Sequence, residues 1–187
     1  MRKGDLIKAA VLLGLSLAAS LAEGQVINSG AQSINLSATL NESLTLSLSA
    51  NSVTFALTAG SPSNPGSTGI TATTSWVLNP GRTTVGVYAY FANAAAALTD
   101  GGSPANNIPT SAFFISDNGT SLTAVTGTAP FGAANAGLQL ASVTINGGNK
   151  SSSRTDLMTF NISLISLPQL PAGTYTGTLT IQAQAAP

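Results

Sequence analysis

Apolar and polar residues alternate through residues 34–48, INLSATLNESLTLSL, and this stretch decides the fold class. A period of two places every second side chain on the same face of an extended strand. A helix would instead need apolar residues three and four positions apart, and that spacing is missing here. The stretch therefore predicts two β-strands, residues 34–40 and 44–48, each with one apolar face.

The same pattern recurs along the rest of the chain between turn-forming clusters of Gly, Pro and Asn. We predict further strands at residues 53–57, 70–78, 83–91, 113–116, 122–125, 137–145, 156–164 and 174–184. Short strands at roughly ten-residue spacing are typical of an antiparallel sandwich. The chain is thus predicted to be all-β, an immunoglobulin-like or pilin-like β-sandwich of about 8–10 strands. Residues 92–98 are rich in alanine and predict only a short helical turn or a loop.

Residues 1–24 have the organisation of an export signal. Basic residues precede an apolar run at residues 9–19, and small side chains suit cleavage after Ala22 or after Gly24. The run is too short to serve as a permanent anchor across a bilayer core of about 30 Å. We expect an exported protein, extracellular, on the cell surface or in the periplasm, and not stably inserted in a membrane after processing. Its residues 25–187 are expected to form a single β-sandwich domain.

The composition excludes most enzyme chemistry. The chain has no histidine and no cysteine, so Ser-His-Asp and Cys-His catalysis are excluded and zinc loses its preferred ligands. Clustered Lys and Arg, which nucleic-acid binding requires, are also missing. We therefore expect no enzyme activity, no cofactor, no metal site and no nucleic-acid partner, and a hydrolase is the third and least favoured function. After Ala22 the net charge is 3 − 5 = −2, from Arg82, Lys150, Arg154, Glu23, Glu42, Asp100, Asp117 and Asp156.

Two acidic turn sequences have residue types that calcium could use. They are Asp100-Gly101-Gly102 and Asp117-Asn118-Gly119. Neither has the multi-acid spacing of an EF-hand loop. Asp and Asn before Gly are common in turns because they bind their own backbone and tolerate left-handed conformation. We interpret both sequences as ordinary turns.

The aromatic residues at positions 87–91, VYAYF, leave two alternatives open. Tyr88 and Tyr90 share one face of the predicted strand, and the intervening apolar residues share the other. If the tyrosine face is exposed, its two rings lie about 7 Å apart and could stack on sugars, as in carbohydrate-binding modules. That is our alternative function, with carbohydrate as the ligand. The interpretation we favour turns both tyrosines towards the core, and Trp76 is also expected there.

The sequence near the C-terminus, residues 170–181, LPAGTYTGTLTI, resembles the closing strand of two groups of bacterial surface proteins. In spore-coat-U-like and archaic chaperone–usher pilin subunits this strand follows a Gly-x-Tyr-x-Asp pattern. Gly173 and Tyr175 match that pattern, and Gly177 stands in place of the aspartate. The other group is the WxL surface domain, whose first Trp-x-Leu motif is similar to residues 76–78, although its second motif is missing here. Either resemblance implies a structural β-sandwich subunit of a pilus, coat or surface layer.

The pilin resemblance also implies a way of assembling. In those subunits an N-terminal alternating segment completes the sheet of the neighbouring subunit by strand addition. The matching candidate donor strand here consists of Ile34, Leu36, Ala38 and Leu40, with the protein itself or other surface proteins as partner. The alternative, which we favour, is that this segment pairs within its own fold. Our leading hypothesis is a secreted, non-enzymatic structural or surface-assembly protein.

Overall fold

The computed structural model describes residues 29–132 and 136–187. The expected export signal, with its cleavage positions Ala22 and Gly24, lies outside the described residues. The chain divides into two units after Thr39: residues 29–39 contain neither helix nor strand, and Leu40–Pro187 holds the β-structure. In the described part of the chain, no helix has the length and apolar character needed to cross a bilayer.

Almost all regular structure in the described residues is β-strand. The only helical element among them is a 3₁₀ turn at Thr110–Ala112. The predicted all-β fold class is therefore confirmed. The strands are β1 (Ser43–Leu48), β2 (Asn64–Pro65), β3 (Ile70–Val77), β4 (Thr84–Phe91), β5 (Leu98–Thr99), β6 (Asn107–Ile108), β7 (Phe113–Asp117), β8 (Thr123–Ala124), β9 (Leu138–Thr144), β10 (Ser151–Ile162) and β11 (Leu179–Ala186).

Two antiparallel sheets pack face to face and form a sandwich. The larger sheet has the order β1-β3-β10-β7-β8, with β2 paired to the end of β10, and the smaller has the order β11-β4-β9. A short separate ladder joins β5 to β6. The sheets meet through apolar side chains: the rings of Phe91 on β4 and Phe113 on β7 pack edge to face, with centroids 5.0 Å apart.

The period-two pattern accounts for the burial at the centre of the sandwich. On β3, the side chains of Ile70, Ala72, Thr74 and Trp76 are buried, and the residues that alternate with them are partly exposed. The indole nitrogen of Trp76 donates a hydrogen bond to the carbonyl of Asn149, at 2.8 Å. A buried Trp N–H needs such a partner because an unsatisfied donor in the core costs free energy. The predicted core position of Trp76 is confirmed.

Several predicted strands are shorter in the structure or missing, among them residues 122–125, of which only β8 is regular. Residues 53–57 contribute a single bridge, from Phe55 to Gly66. Residues 174–178 likewise make only an isolated bridge, through Thr176, and the regular strand begins at Leu179. Residues 34–40 belong to no strand. The pattern in these segments defines an apolar face, but a strand also needs a neighbouring edge that accepts its backbone hydrogen bonds.

We expect the Ile162→Ala substitution to reduce the free energy of unfolding by about 2–5 kcal/mol, because it removes a fully buried side chain and leaves a cavity. Ile162 is 0% exposed at the end of β10. Leu157→Ala on the same strand is the matched control, since Leu157 is 48% exposed. Its expected effect is within about 1 kcal/mol. Urea denaturation measures both, and equal losses for the two variants would contradict the packing described.

Candidate functional site: an open apolar groove and an exposed apolar segment

An open groove of about 660 Å³ runs into the core of the Leu40–Pro187 unit. Its first wall is residues 48–57, and its second wall is residues 173–179 with Ile181. Buried core side chains form its floor, among them Phe91, Phe113, Met158, Phe160 and Ile162. The groove therefore gives access from outside to the interior that the two sheets share.

The groove is open because neither wall is a continuous strand. β1 ends at Leu48, and the residues after it run on outside any regular ladder. On the other side β11 hydrogen-bonds only to β4 among the described strands, so its second edge is unpaired. The inward side chains Leu179 and Ile181 are only partly buried, although their cross-strand partners Phe91 and Ala89 are buried. The core thus lacks cover along the free edge of β11.

A second apolar feature lies in the N-terminal segment. The side chains of Ile34, Leu36 and Leu40 are 84%, 91% and 81% exposed, and Ala38 is exposed as well. Residues 29–42 form no strand. Pairing of this segment within its own fold, which we favoured, therefore stays a prediction. The segment has the alternating pattern of a strand, and its apolar side chains are exposed to solvent.

The chain just after this segment is held by an ion pair. The carboxylate of Glu42 accepts hydrogen bonds from Arg82 Nε and Nη2, at 3.0 and 3.2 Å, and from the backbone N–H of Asn79, at 3.0 Å. The fork of the guanidinium and the carboxylate match in geometry, so the pair has a defined orientation. These bonds, chiefly the one from Arg82, lower the pKa of Glu42. They fix the chain at the start of β1.

The structure places both candidate sugar-binding tyrosines on the outer face of the smaller sheet. On β4 the side chains of Val87, Ala89 and Phe91 point into the core, and Tyr88 and Tyr90 lie on the opposite face, each partly exposed. The core-facing orientation that we favoured is therefore wrong. The alternation of the strand was predicted correctly, but its assignment to inside and outside was reversed.

The two acidic turns use their carboxylates within the protein. Asp100 accepts hydrogen bonds from the backbone N–H groups of Gly102 and Asn106, and these bonds, with one from the Asn106 side chain, lower its pKa. In the second turn Asn118 adopts a left-handed conformation, with φ of 48°. Its side-chain amide donates to the buried Asp156, at 3.0 Å. Among the described residues, no cluster of three or more His, Cys, Asp or Glu side chains could hold a metal ion.

All three basic side chains of the folded unit are engaged. Arg82 binds Glu42, as described above. Arg154 Nε binds Asp156 at 2.6 Å, and Lys150 Nζ donates to the carbonyl oxygens of Pro80 and Arg82. Burial and the nearby Asp156 charge raise the pKa of Asp117, and Arg154 partly offsets this. These contacts hold the three basic side chains in structural roles, and none of the three lines the groove.

Sequence reasoning missed the groove and its lining residues. Phe55 and Tyr175 lie in its walls, and both were assigned to regular strands. A usable signal is nevertheless present: the small polar run 49–52, SANS, breaks the alternation, and Gly173 and Gly177 flank the tyrosine. Gly177 lies so close to the carbonyl of Ala97 that any side chain would collide with it. These interruptions of the alternation lie after β1 and before β11, where regular strand pairing is absent.

Comparison with known proteins gives no relative for this chain. No protein-family model, no curated protein and no solved structure matches it. The candidate site therefore rests on the geometry described above.

We expect the Glu42→Gln substitution to lower the melting temperature slightly at neutral pH and to have no effect in acid. The pKa of Glu42 is depressed in the fold, so its ionised form contributes stability above the ordinary carboxyl value of about 4.3. That contribution disappears as the pH falls through the lower pKa of the folded state. Thermal melts of both proteins across the acid range measure the difference. A difference that persists after Glu42 is protonated would contradict this assignment.

Proposed function

We propose that this protein is an exported structural subunit that assembles with copies of itself into a pilus, coat or surface layer. The single observation that carries the proposal is that one chain contains both an open strand edge and a strand-like segment without a partner. The folded unit has an apolar groove beside an unpaired strand edge, and residues 34–40 have an exposed apolar face with no strand partner. The segment could provide the strand that the groove lacks, and the groove could cover the apolar face that the segment exposes. The apolar N-terminal run with its cleavage positions supports export.

The dimensions of the two features agree. Residues 34–40, when extended, span about 20 Å, and the eight residues of β11 span about 23 Å. A strand from a neighbouring copy could therefore run along the free edge of β11 where Leu179 and Ile181 line the groove. Its backbone would hydrogen-bond to that edge, and its alternate side chains Ile34, Leu36, Ala38 and Leu40 would enter the groove.

The energetics favour a strand over a few isolated side chains. Burying each of the larger apolar side chains stabilises the complex by about 1.5–3 kcal/mol. Association costs at least about 4 kcal/mol in lost freedom, and ordering the segment costs more. Side-chain burial and backbone hydrogen bonds to β11 must therefore act together. An alternating segment provides both, because an extended strand can bury its apolar face in the groove while its backbone hydrogen-bonds to β11.

The composition of the site suits assembly better than catalysis. The walls and floor of the groove contain no Asp, Glu, Lys or Arg. A reaction centre would need a nucleophile with a base or a pair of titratable groups, and the groove offers only hydroxyls and amides. An apolar lining of this kind is suited to holding apolar side chains.

We expect Leu36→Asp to dissociate the assembly, with the dissociation constant raised about tenfold to a hundredfold, because it removes one buried leucine. Ser37→Asp is the matched control: it adds the same charge to the neighbouring residue on the opposite face, and we expect it to assemble. Light scattering with size-exclusion chromatography, and negative-stain electron microscopy, measure assembly of the protein purified after export. A wild-type protein that stays monomeric at high concentration would overturn the proposal.

Cysteine cross-linking tests the groove directly, since the chain has no cysteine of its own. We expect Leu36→Cys combined with Ile181→Cys to give a ladder of disulfide-linked multimers under oxidation. Ser37→Cys combined with Ile181→Cys places the first thiol on the other face of the segment and should give far fewer. A cross-linked monomer as the main product would show that the segment folds back into its own groove, which contradicts assembly by strand addition.

A further inference from the structure

The outer face of the smaller sheet carries a second surface, separate from the groove. On this face Tyr88 lies between Gln182 of β11 and Gln139 of β9 in the sheet register. One row further along β4, Gly86 lies between Gln184 and Ser142. Strands β4, β9 and β11 contain no charged residue. The surface is therefore an aromatic ring surrounded by uncharged polar side chains.

Gly86 determines how the ring of Tyr88 lies. A Cβ atom built at Gly86 would lie 2.6 Å from Cε2 of Tyr88, 2.9 Å from its hydroxyl oxygen and 3.0 Å from Cζ. The far end of the ring thus occupies the space that a side chain at position 86 would fill. The ring therefore lies over Gly86, and the Tyr88 side chain is partly exposed.

Hydrogen bonds hold both tyrosine hydroxyls in place. Gln139 Nε2 donates to the hydroxyl of Tyr88, at 3.1 Å, and the hydroxyl of Tyr90 donates to Gln182 Oε1, at 3.3 Å. Each glutamine uses one end of its amide in these bonds. In the described part of the structure, Gln139 Oε1 and Gln182 Nε2 form no hydrogen bond within the protein. One acceptor and one donor therefore remain beside the ring of Tyr88.

These features match the chemistry of a sugar ring. The C–H face of a hexose is apolar and packs on the face of an aromatic ring, and its hydroxyls need nearby donors and acceptors. Amides suit this role because they both donate and accept without charge. The ring of Phe131 packs beside that of Tyr88 at an angle of 55°, with centroids 5.7 Å apart, and adds a second aromatic side chain to the surface. A charged ligand would find no counter-ion on these three strands.

We propose that this surface, formed by Tyr88, Tyr90, Gln139 and Gln182, binds neutral glycans. Tyr88 is the stacking platform, Gly86 leaves the space in which its ring lies, and the two glutamines bind sugar hydroxyls. The groove and the N-terminal segment play no part in this binding. The glycan site would give a surface subunit a means of attaching to uncharged polysaccharide.

Calorimetric titration with cellohexaose, maltohexaose and chitohexaose tests the proposal on the processed protein. We expect at least one of these neutral oligosaccharides to bind, and Tyr88→Ala to weaken its binding about tenfold or more, equivalent to about 1.4 kcal/mol. Tyr88→Phe keeps the ring and should retain most of the affinity. Gly86→Ala should weaken binding because its methyl group displaces the ring. Tyr175→Ala is the matched control, since it removes a tyrosine from the groove wall, and it should leave glycan binding unchanged.

Two outcomes would overturn the glycan site. One is failure of all three oligosaccharides to bind to the native protein at millimolar concentration. The other is binding that survives the double substitution Tyr88→Ala and Tyr90→Ala. The non-assembling variant Leu36→Asp separates this proposal from self-assembly, because it should bind glycan with unchanged affinity per chain.

Discussion

The antiparallel pairing of β3 with β10 is the contact on which the rest of the structure depends. Its register runs from Ser151 opposite Val77 to Met158 opposite Ile70, and the two strands form the centre of the larger sheet. Their inward side chains make the floor on which the smaller sheet packs. β1 and β7 then add to the outer sides of this pair, and β7 brings Phe113 against Phe91 of the smaller sheet. The groove lies beyond the end of β1 and beside the unpaired edge of β11.

An incomplete sandwich and an exposed apolar segment are each unfavourable alone. Partly covered core side chains and a free strand edge both favour further pairing, and natural proteins usually block such edges with charge, proline or a bulge. The edge strand β11 has none of these devices, since its sequence, LTIQAQAA, is uncharged and free of proline. An unblocked edge beside an open core is what the proposed strand addition requires.

Local pattern was sufficient to predict most strands but not the relations between them. The alternation at β3, β4 and β9 predicted these strands to within a residue or two. β3 and β4 each have hydrogen-bonded partners on both sides, and β9 pairs with β4 along its length. At residues 34–40 an equally regular pattern produced no strand, since a pattern cannot tell whether an edge is available in the same molecule. The faces of β4 were distinguished correctly but assigned in reverse. The prediction placed the face with the two tyrosines in the core. The fold instead buries the face with Val, Ala and Phe, which brings no hydroxyl into the core that would need a partner.

Glycine positions were the least predictable part of both sites. Gly86 was expected only as a member of a strand, yet it leaves the space in which the ring of Tyr88 lies. Gly177 was noted only because it replaces an aspartate, yet the backbone of Ala97 approaches it too closely for any side chain. Such close approaches depend on tertiary contacts between distant segments. The alternation of apolar and polar residues along the sequence therefore cannot predict these close approaches.

The engagement of every basic side chain in the folded unit has a consequence for proteolysis. Trypsin-like proteases cut after Lys or Arg and must first draw an extended stretch of backbone into their cleft. Arg82, Lys150 and Arg154 are the only such positions after residue 8, and each is tied to a carboxylate or to carbonyl oxygens. The exposed segment at residues 29–41 contains neither Lys nor Arg. After residue 8, trypsin-like proteases therefore meet only three candidate positions, each held by hydrogen bonds or an ion pair, and none of them in the exposed stretch 29–41.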